Sequence, residues 1–135
     1  MLTAIKNYVL SGGNVLGICG GFQMLGKYII DAEGLEGEPG KYKALDLLPI
    51  KTTMTEQKIT RQRSVYSHFP QEGLPVLGYE IHQGKSQVLE LQDLESKLKK
   101  TFQPEVNYKY LFNDKNLGIV DATESVFGTY LHGIF

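Results

Sequence analysis

The chain has 135 residues, a formal net charge of −1 from 14 basic and 15 acidic side chains, and one cysteine. That length fits one domain with one core, and the balanced charge lacks the basic stripe of a nucleic-acid binder, so no nucleic-acid partner is expected. A lone thiol can form neither an internal disulfide nor a thiolate zinc site, and no apolar run reaches the ~20 residues of a membrane span, so the expectation is a cytoplasmic protein without a metal site or membrane partner.

Leu2, Ile5, Val9 and Leu10 recur at helical spacing, and the pattern stops at Ser11-Gly12-Gly13-Asn14, which predicts an opening helix. Val15 to Ile18 is wholly apolar and reads as a short strand buried on both faces of a parallel sheet. Phe22, Met24, Leu25, Tyr28 and Ile29 predict a helix from Gly20 to Ile29 packed on that sheet. Helix, strand, turn and helix in this order make an α/β unit. Asp31 to Lys43, rich in Gly, Glu and Pro, reads as an exposed loop, and Leu45 to Ile59 as a strand entering an antiparallel excursion. Pro75 to His82 alternates as a strand ending at Gln83-Gly84, whereas Leu89 to Phe102 fits helix or loop. Leu117 to Asp121 and Val126 to Leu131 read as paired strands joined through Ala122-Thr123-Glu124-Ser125.

The cysteine lies in Val15-Leu16-Gly17-Ile18-Cys19-Gly20-Gly21-Phe22-Gln23-Met24-Leu25-Gly26, between the apolar strand and the next helix. Gly-x-Cys-x-Gly is the thiol counterpart of the Gly-x-Ser-x-Gly elbow, in which small neighbours let the backbone turn sharply and present the nucleophile above the strand's carboxyl end. Free N–H groups at a following helix start favour thiolate and can hold a developing oxyanion. A buried cysteine packed as a small hydrophobe is the alternative, but it needs no glycine at −2 and +2, where glycine costs roughly 0.5–1 kcal/mol relative to alanine. A thiol nucleophile needs a base, and His68, His82 and His132 are the histidines available. His68 falls in a predicted surface loop. His82 and His132 both fall at strand ends, and sequence spacing does not choose between them.

Three segments resemble the C-terminal glutamine amidotransferase domain of the cobyric acid synthase family: Gly17 to Gly26, Gly78-Tyr79-Glu80-Ile81-His82-Gln83-Gly84, and Phe127-Gly128-Thr129-Tyr130-Leu131-His132-Gly133-Ile134-Phe135. They occur in family order and span nearly the whole chain. The resemblance implies an α/β, class I glutamine amidotransferase-like (flavodoxin-like) fold with a mostly parallel sheet and flanking helices, incomplete at both ends, over residues 1–135. It implies that Cys19 attacks the glutamine side-chain amide, that His132 is base and acid, that the Gly20 N–H is an oxyanion donor and that Gln23 helps hold the substrate. Gln23 is equally readable as a polar position in the first helical turn. Tyr79, Glu80 and His82 would shape the glutamine pocket or its rim.

Many class I amidotransferases place a carboxylate two residues after the histidine, but here that position is Ile134. Cys19 and His132 would then act as a dyad or borrow an orienting group, with Glu80 a candidate. The resemblance places the domain's first strands, the second oxyanion loop and an ATP-dependent synthetase domain outside these 135 residues. No Gly-x-x-x-x-Gly-Lys-Ser/Thr loop occurs in the chain, so ATP and Mg belong to that synthetase domain and no cofactor is expected here. The implied function is ammonia supply from glutamine to a corrinoid, which this domain would serve only indirectly, in cobalamin biosynthesis. Two other readings are a glutaminase subunit of a lipid II amidating complex and an inactive truncated fragment that retains an interaction role.

Overall fold

The computed structural model describes residues 2–89 and 108–134. In chain order the elements are α1 (Leu2–Leu10), β1 (Val15–Ile18), α2 (Gly20–Leu25), β2 (Tyr28–Asp31), β3 (Gly40–Lys43), β4 (Ile50–Tyr66), β5 (Pro75–Val88), β6 (Tyr108–Tyr110), β7 (Gly118–Asp121), β8 (Val126–Thr129) and β9 (Leu131–His132). Helix α1 ends as its sequence dictates. The N–H groups of Gly12 and Gly13 return to the carbonyls of Val9 and Tyr8 at 3.0 and 2.9 Å, satisfying acceptors that the last turn leaves open.

The strands among the described residues form two sheets, ordered β1-β8-β7-β6 and β3-β2-β4-β5-β9. The α/β class is as expected, but the sheets are mixed: β1–β8 and β2–β4 run parallel, while the other described pairs are antiparallel. The long strands β4 and β5 are neighbours in sequence joined by a short connection, which permits only antiparallel pairing. Strand β1 also departs from expectation. It lies at an edge, paired to β8, and leaves Leu16 and Ile18 43% and 36% exposed instead of buried on both faces.

Helix α2 stops at Leu25, short of the expected Ile29. The aromatic and β-branched residues that follow enter β2, where the Lys27 N–H bonds the Ile50 carbonyl at 2.7 Å and sheet pairing outcompetes another helical turn. The N–H groups of Leu45, Leu47 and Leu48 bond the carbonyls of Met24 and Leu25, so this segment closes the helix end. The expected loop of Asp31 to Lys43 closes with a strand, β3, which pairs back on β2 as a hairpin and leaves residues 32–39 between them. Strand β5 continues through Gly84, whose φ of +93° accommodates a bulge where four residues of β4 between Thr53 and Lys58 face one of β5. The expected pair β7 and β8 forms with the anticipated turn. Of the segment left as helix or loop, only Leu89 lies within the described residues; the rest lies outside them.

One core joins the two sheets. Leu117, Val120, Val126 and Tyr130 pack with Phe22, Leu25, Leu48, Ile50 and Leu131. A fully buried side chain of this size contributes about 1.5–3 kcal/mol from removal of apolar surface from water. A single residue, Tyr130, separates β8 of the first sheet from β9 of the second. The chain changes sheets at that corner, which delivers His132 to the edge of β5.

Candidate active site

Cys19 sits between β1 and α2 with φ 56° and ψ −111°, in the positive-φ region that side chains other than glycine avoid. Such a conformation costs about 1–3 kcal/mol and persists because both flanks hold it. The Cys19 N–H bonds the Thr129 carbonyl at 2.9 Å, extending the β1–β8 ladder, while its carbonyl accepts the Gln23 N–H at 3.1 Å as the first helical bond. The flanking glycines are not equivalent. A Cβ at Gly17 would come within 2.7 Å of the Gly21 backbone and 2.6 Å of Leu25 Cδ1, so strand and helix could not meet at this angle. A Cβ at Gly20 or Gly21 would meet nothing within 4 Å, so packing requires only the upstream glycine.

The thiol and one imidazole converge on a single atom. Cys19 Sγ donates to the Ile81 carbonyl at 3.2 Å, and His132 Nε2 donates to the same oxygen at 3.3 Å. Strand β9 pairs with β5 only at Tyr79 and Glu80, so the ladder on that edge stops before Ile81. Backbone acceptors near a core demand partners. Side chains supply them: Cys19 and His132 at Ile81, and Gln23 Nε2 at the Gln83 carbonyl, 2.8 Å away. The irregular middle of β5, just before its bulge, is thus a template that holds three of the residues singled out from sequence. Gly78 lets β9 lie this close, because a Cβ there would stand 2.7 Å from Ile134 Cγ2 and 2.8 Å from the His132 carbonyl. Tyr79, the cross-strand partner of His132, is exposed.

His82 and Glu80 lie elsewhere. His82 places Nε2 2.7 Å from Glu80 Oε2 and Nδ1 2.9 Å from the Gly84 carbonyl oxygen, so both ring nitrogens face acceptors. Glu80 Oε1 receives Arg61 Nε and Arg63 Nη1, each at 2.8 Å, and Arg63 continues to Asp114. Burial pushes the Glu80 carboxyl up, but the bonds from His82, Arg61 and Arg63 outweigh it and hold the group below its usual range. Asp114 is lowered likewise: burial is outweighed by the bonds from Arg63 and the Asn116 N–H. Glu80 therefore does not orient His132 as anticipated. Its carboxylate is fully engaged with His82 and the two arginines, and this buried cluster braces the β4–β5 hairpin that supplies the carbonyl template. His68 is exposed, with its backbone N–H on Leu111.

A cavity of about 410 Å³ opens beside the elbow, lined by Gly20, Gln23, Met24, Ile29, Asp31 and Met54 among others. Its loop wall is fixed by the buried Asp31 carboxylate, which accepts the N–H groups of Leu35 and Glu36 at 2.8 and 2.9 Å. Gln23 is buried, and its second amide bond goes to the Tyr130 hydroxyl at 3.2 Å. Sequence reasoning passed over Tyr130, Arg61, Arg63 and the two carbonyl acceptors. Tyr130 reads as one more apolar strand residue, and a backbone acceptor has no signature in residue identity. Among the described residues, no group of three or more His, Cys, Asp or Glu side chains is placed to hold a metal ion, and no helix is long and apolar enough to cross a membrane.

Comparison with known proteins extends over the whole chain. The family model for the CobB/CobQ-like glutamine amidotransferase domain matches residues 1–135. Cobyric acid synthases of Nostoc sp. and Trichormus variabilis are each 56% identical over the whole chain, which covers 25% of either protein. That of Trichodesmium erythraeum is 52% identical over the whole chain, again 25% of the relative. The chain spans about a quarter of the length of the curated relatives it matches.

Proposed function

The chain belongs to the CobB/CobQ-like glutamine amidotransferase domain family, and on that premise we propose that it hydrolyses glutamine and supplies the ammonia for ATP-dependent amidation of corrinoid side-chain carboxylates. Cys19 loses its proton to His132 and attacks the side-chain amide carbon of glutamine. The Gly20 N–H takes the oxyanion that forms. As the tetrahedral intermediate collapses, the C–N bond breaks, His132 returns the proton to the leaving nitrogen, and ammonia departs from a γ-glutamyl thioester. His132 then takes a proton from water, the hydroxide adds to the thioester carbon, and the C–S bond breaks to give glutamate and the free thiol.

The meeting of Cys19 Sγ and His132 Nε2 at the Ile81 oxygen is the observation that carries this reading. A carbonyl can only accept, so both groups still carry their hydrogens in this resting arrangement, and the lone pair that takes the thiol proton in the proposed step is the one on Nδ1. The relatives' shared name, cobyric acid synthase, favours a corrinoid acceptor over a peptidoglycan precursor. ATP and Mg²⁺ are assigned to the synthetase portion of the relatives, the ammonia-consuming partner, and the cytoplasm is the proposed compartment.

The test is covalent. Incubation with 6-diazo-5-oxo-L-norleucine, a glutamine-like electrophile, gives one mass adduct on the peptide containing Cys19, and C19S loses glutaminase activity by at least about 10³-fold. Wild-type protein whose Cys19 reacts with iodoacetamide but not with the diazoketone, and which releases no ammonia from glutamine, would overturn the reading.

A further inference from the structure

The hydrogen bonds around the sheet-changing corner assign a specific part to Tyr130. We propose that Tyr130 is a positioning residue for glutamine recognition, acting through Gln23 by fixing which end of its carboxamide faces the cavity. The proposal rests on the glutaminase reading and deepens it.

Tyr130 is 1% exposed. Its ring stacks on His82 at 3.7 Å and 16°, and meets Phe22 edge-on at 4.9 Å and 70°. A phenylalanine would fill the same space, so packing alone does not explain the hydroxyl. That hydroxyl joins a buried polar chain: it accepts Gln23 Nε2–H at 3.2 Å and shares a hydrogen with Ser86 Oγ, which lies 2.6 Å from Thr52 Oγ1. Burial raises the phenol's pKa above its ordinary value, although the bonds to Ser86, Gln23 and Thr52 pull the other way, so the group stays protonated at neutral pH.

The consequence lies at Gln23. A primary amide has two N–H donors and one carbonyl acceptor. One donor goes to the Gln83 carbonyl at 2.8 Å and the other to Tyr130, so neither remains for a ligand. Gln23 Oε1 has no partner among the described residues, no buried polar side-chain atom among them lacks one, and Gln23 lines the cavity beside Gly20. The side chain therefore presents a pure acceptor. Its complement on glutamine is an N–H donor, either the α-ammonium or the side-chain amide, and not the carboxylate. Without the Tyr130 hydroxyl the carboxamide is held at one point and regains a free donor, which blurs that polarity.

The experiment uses Y130F, which keeps both ring contacts, and three probes. Iodoacetamide reports thiol reactivity without amino-acid recognition; 6-diazo-5-oxo-L-norleucine carries the α-ammonium but no amide N–H; glutamine carries both. The expected result is an iodoacetamide rate within about twofold of wild type and a half-saturating concentration for recognition raised about tenfold, the size of one lost hydrogen bond, with the maximal rate retained. A rise for the diazoketone and glutamine assigns the α-ammonium, and a rise for glutamine alone assigns the amide. S86A, which removes the hydroxyl's partner and leaves the ring in place, shifts recognition in the same direction by a smaller factor. Unchanged recognition in both variants, or all three probes slowed by one common factor, overturns the proposal. If Y130F does not fold, S86A decides alone: a raised half-saturation supports the role, and none overturns it. Wild-type protein that reacts with iodoacetamide but neither reacts with the diazoketone nor hydrolyses glutamine fails the glutaminase reading itself, a result distinct from any of these.

Discussion

The elbow at residues 15–25 and the middle of β5 at residues 78–84 build one site by opposite means. The elbow is local: a strand, a strained cysteine and a helix follow one another within eleven residues, and their angle depends on Gly17 lying against Gly21 and Leu25. The β5 region is assembled from distant segments. Cys19 and Gln23 arrive from about 60 positions upstream and His132 from about 50 downstream, and all bond carbonyls left open where β9 stops. A nucleophile can thus be advertised by a short motif while the surface that aligns it is not. The two regions should fail differently when perturbed.

The largest effect falls on the hairpin side. Glu80→Ala removes the acceptor of three cationic or donor groups at once, and leaves Arg63 and the His82 Nε2–H without that partner in a largely water-free setting. Removing one partner of a buried ion pair costs several kcal/mol; because Arg61 is largely exposed and Arg63 keeps Asp114, the expected loss is about 3 kcal/mol in urea unfolding. Glutaminase activity should fall with it through displaced Ile81 and Gln83 carbonyls, although Glu80 touches neither Cys19 nor His132. A variant that stays as stable as wild type would mean that the cluster does not brace the hairpin.

The elbow should respond unequally to its two glycines. G17A forces a methyl into the Gly21 backbone, an overpacking of about 1–3 kcal/mol that also widens the elbow and lowers Cys19 reactivity. G21A meets open space inside a helix, where alanine is favoured by roughly 0.5–1 kcal/mol, so it should be neutral or slightly stabilising. Melting temperatures of the pair, with iodoacetamide labelling rates, test this. Equal destabilisation by both would show that the elbow needs its symmetric glycine pattern after all.

This inequality marks how far the sequence could be read. The α/β class, the opening helix, the strand before Cys19 and the hairpin of β7 and β8 follow from periodicity and turn residues, which are local signals. Residues 26–31 misled because Tyr28 and Ile29 fit a helical stripe as well as a strand, and bonding to β4 and β3 decided between them. Glu80 misled for a related reason. Alternation places it opposite in facing to Tyr79, the partner of His132, but only the tertiary arrangement shows Arg61 and Arg63 of the neighbouring strand β4 waiting for its carboxylate. Tyr130 could have been noticed only by asking why a core strand position carries a hydroxyl.

The smallest effect separates the regions by pH. Glu80 and Asp114 both have folded-state pKa values below their unfolded values, because hydrogen bonds to Arg63 and their other donors outweigh burial. A carboxyl lowered in this way binds fewer protons folded than unfolded, so its stabilising contribution is complete above the unfolded value of about 4 and disappears as pH falls through the folded value. The elbow contributes no carboxylate to this trend. Stability measured by urea unfolding should therefore hold steady from pH 7 to about pH 5 and decline below the ordinary carboxylate range. E80Q, which keeps the side-chain shape but cannot ionise, should begin less stable and show a shallower decline. G17A should begin less stable and keep the wild-type slope, because its defect is steric. An acid slope unaltered in E80Q would move the source of acid sensitivity away from the hairpin cluster.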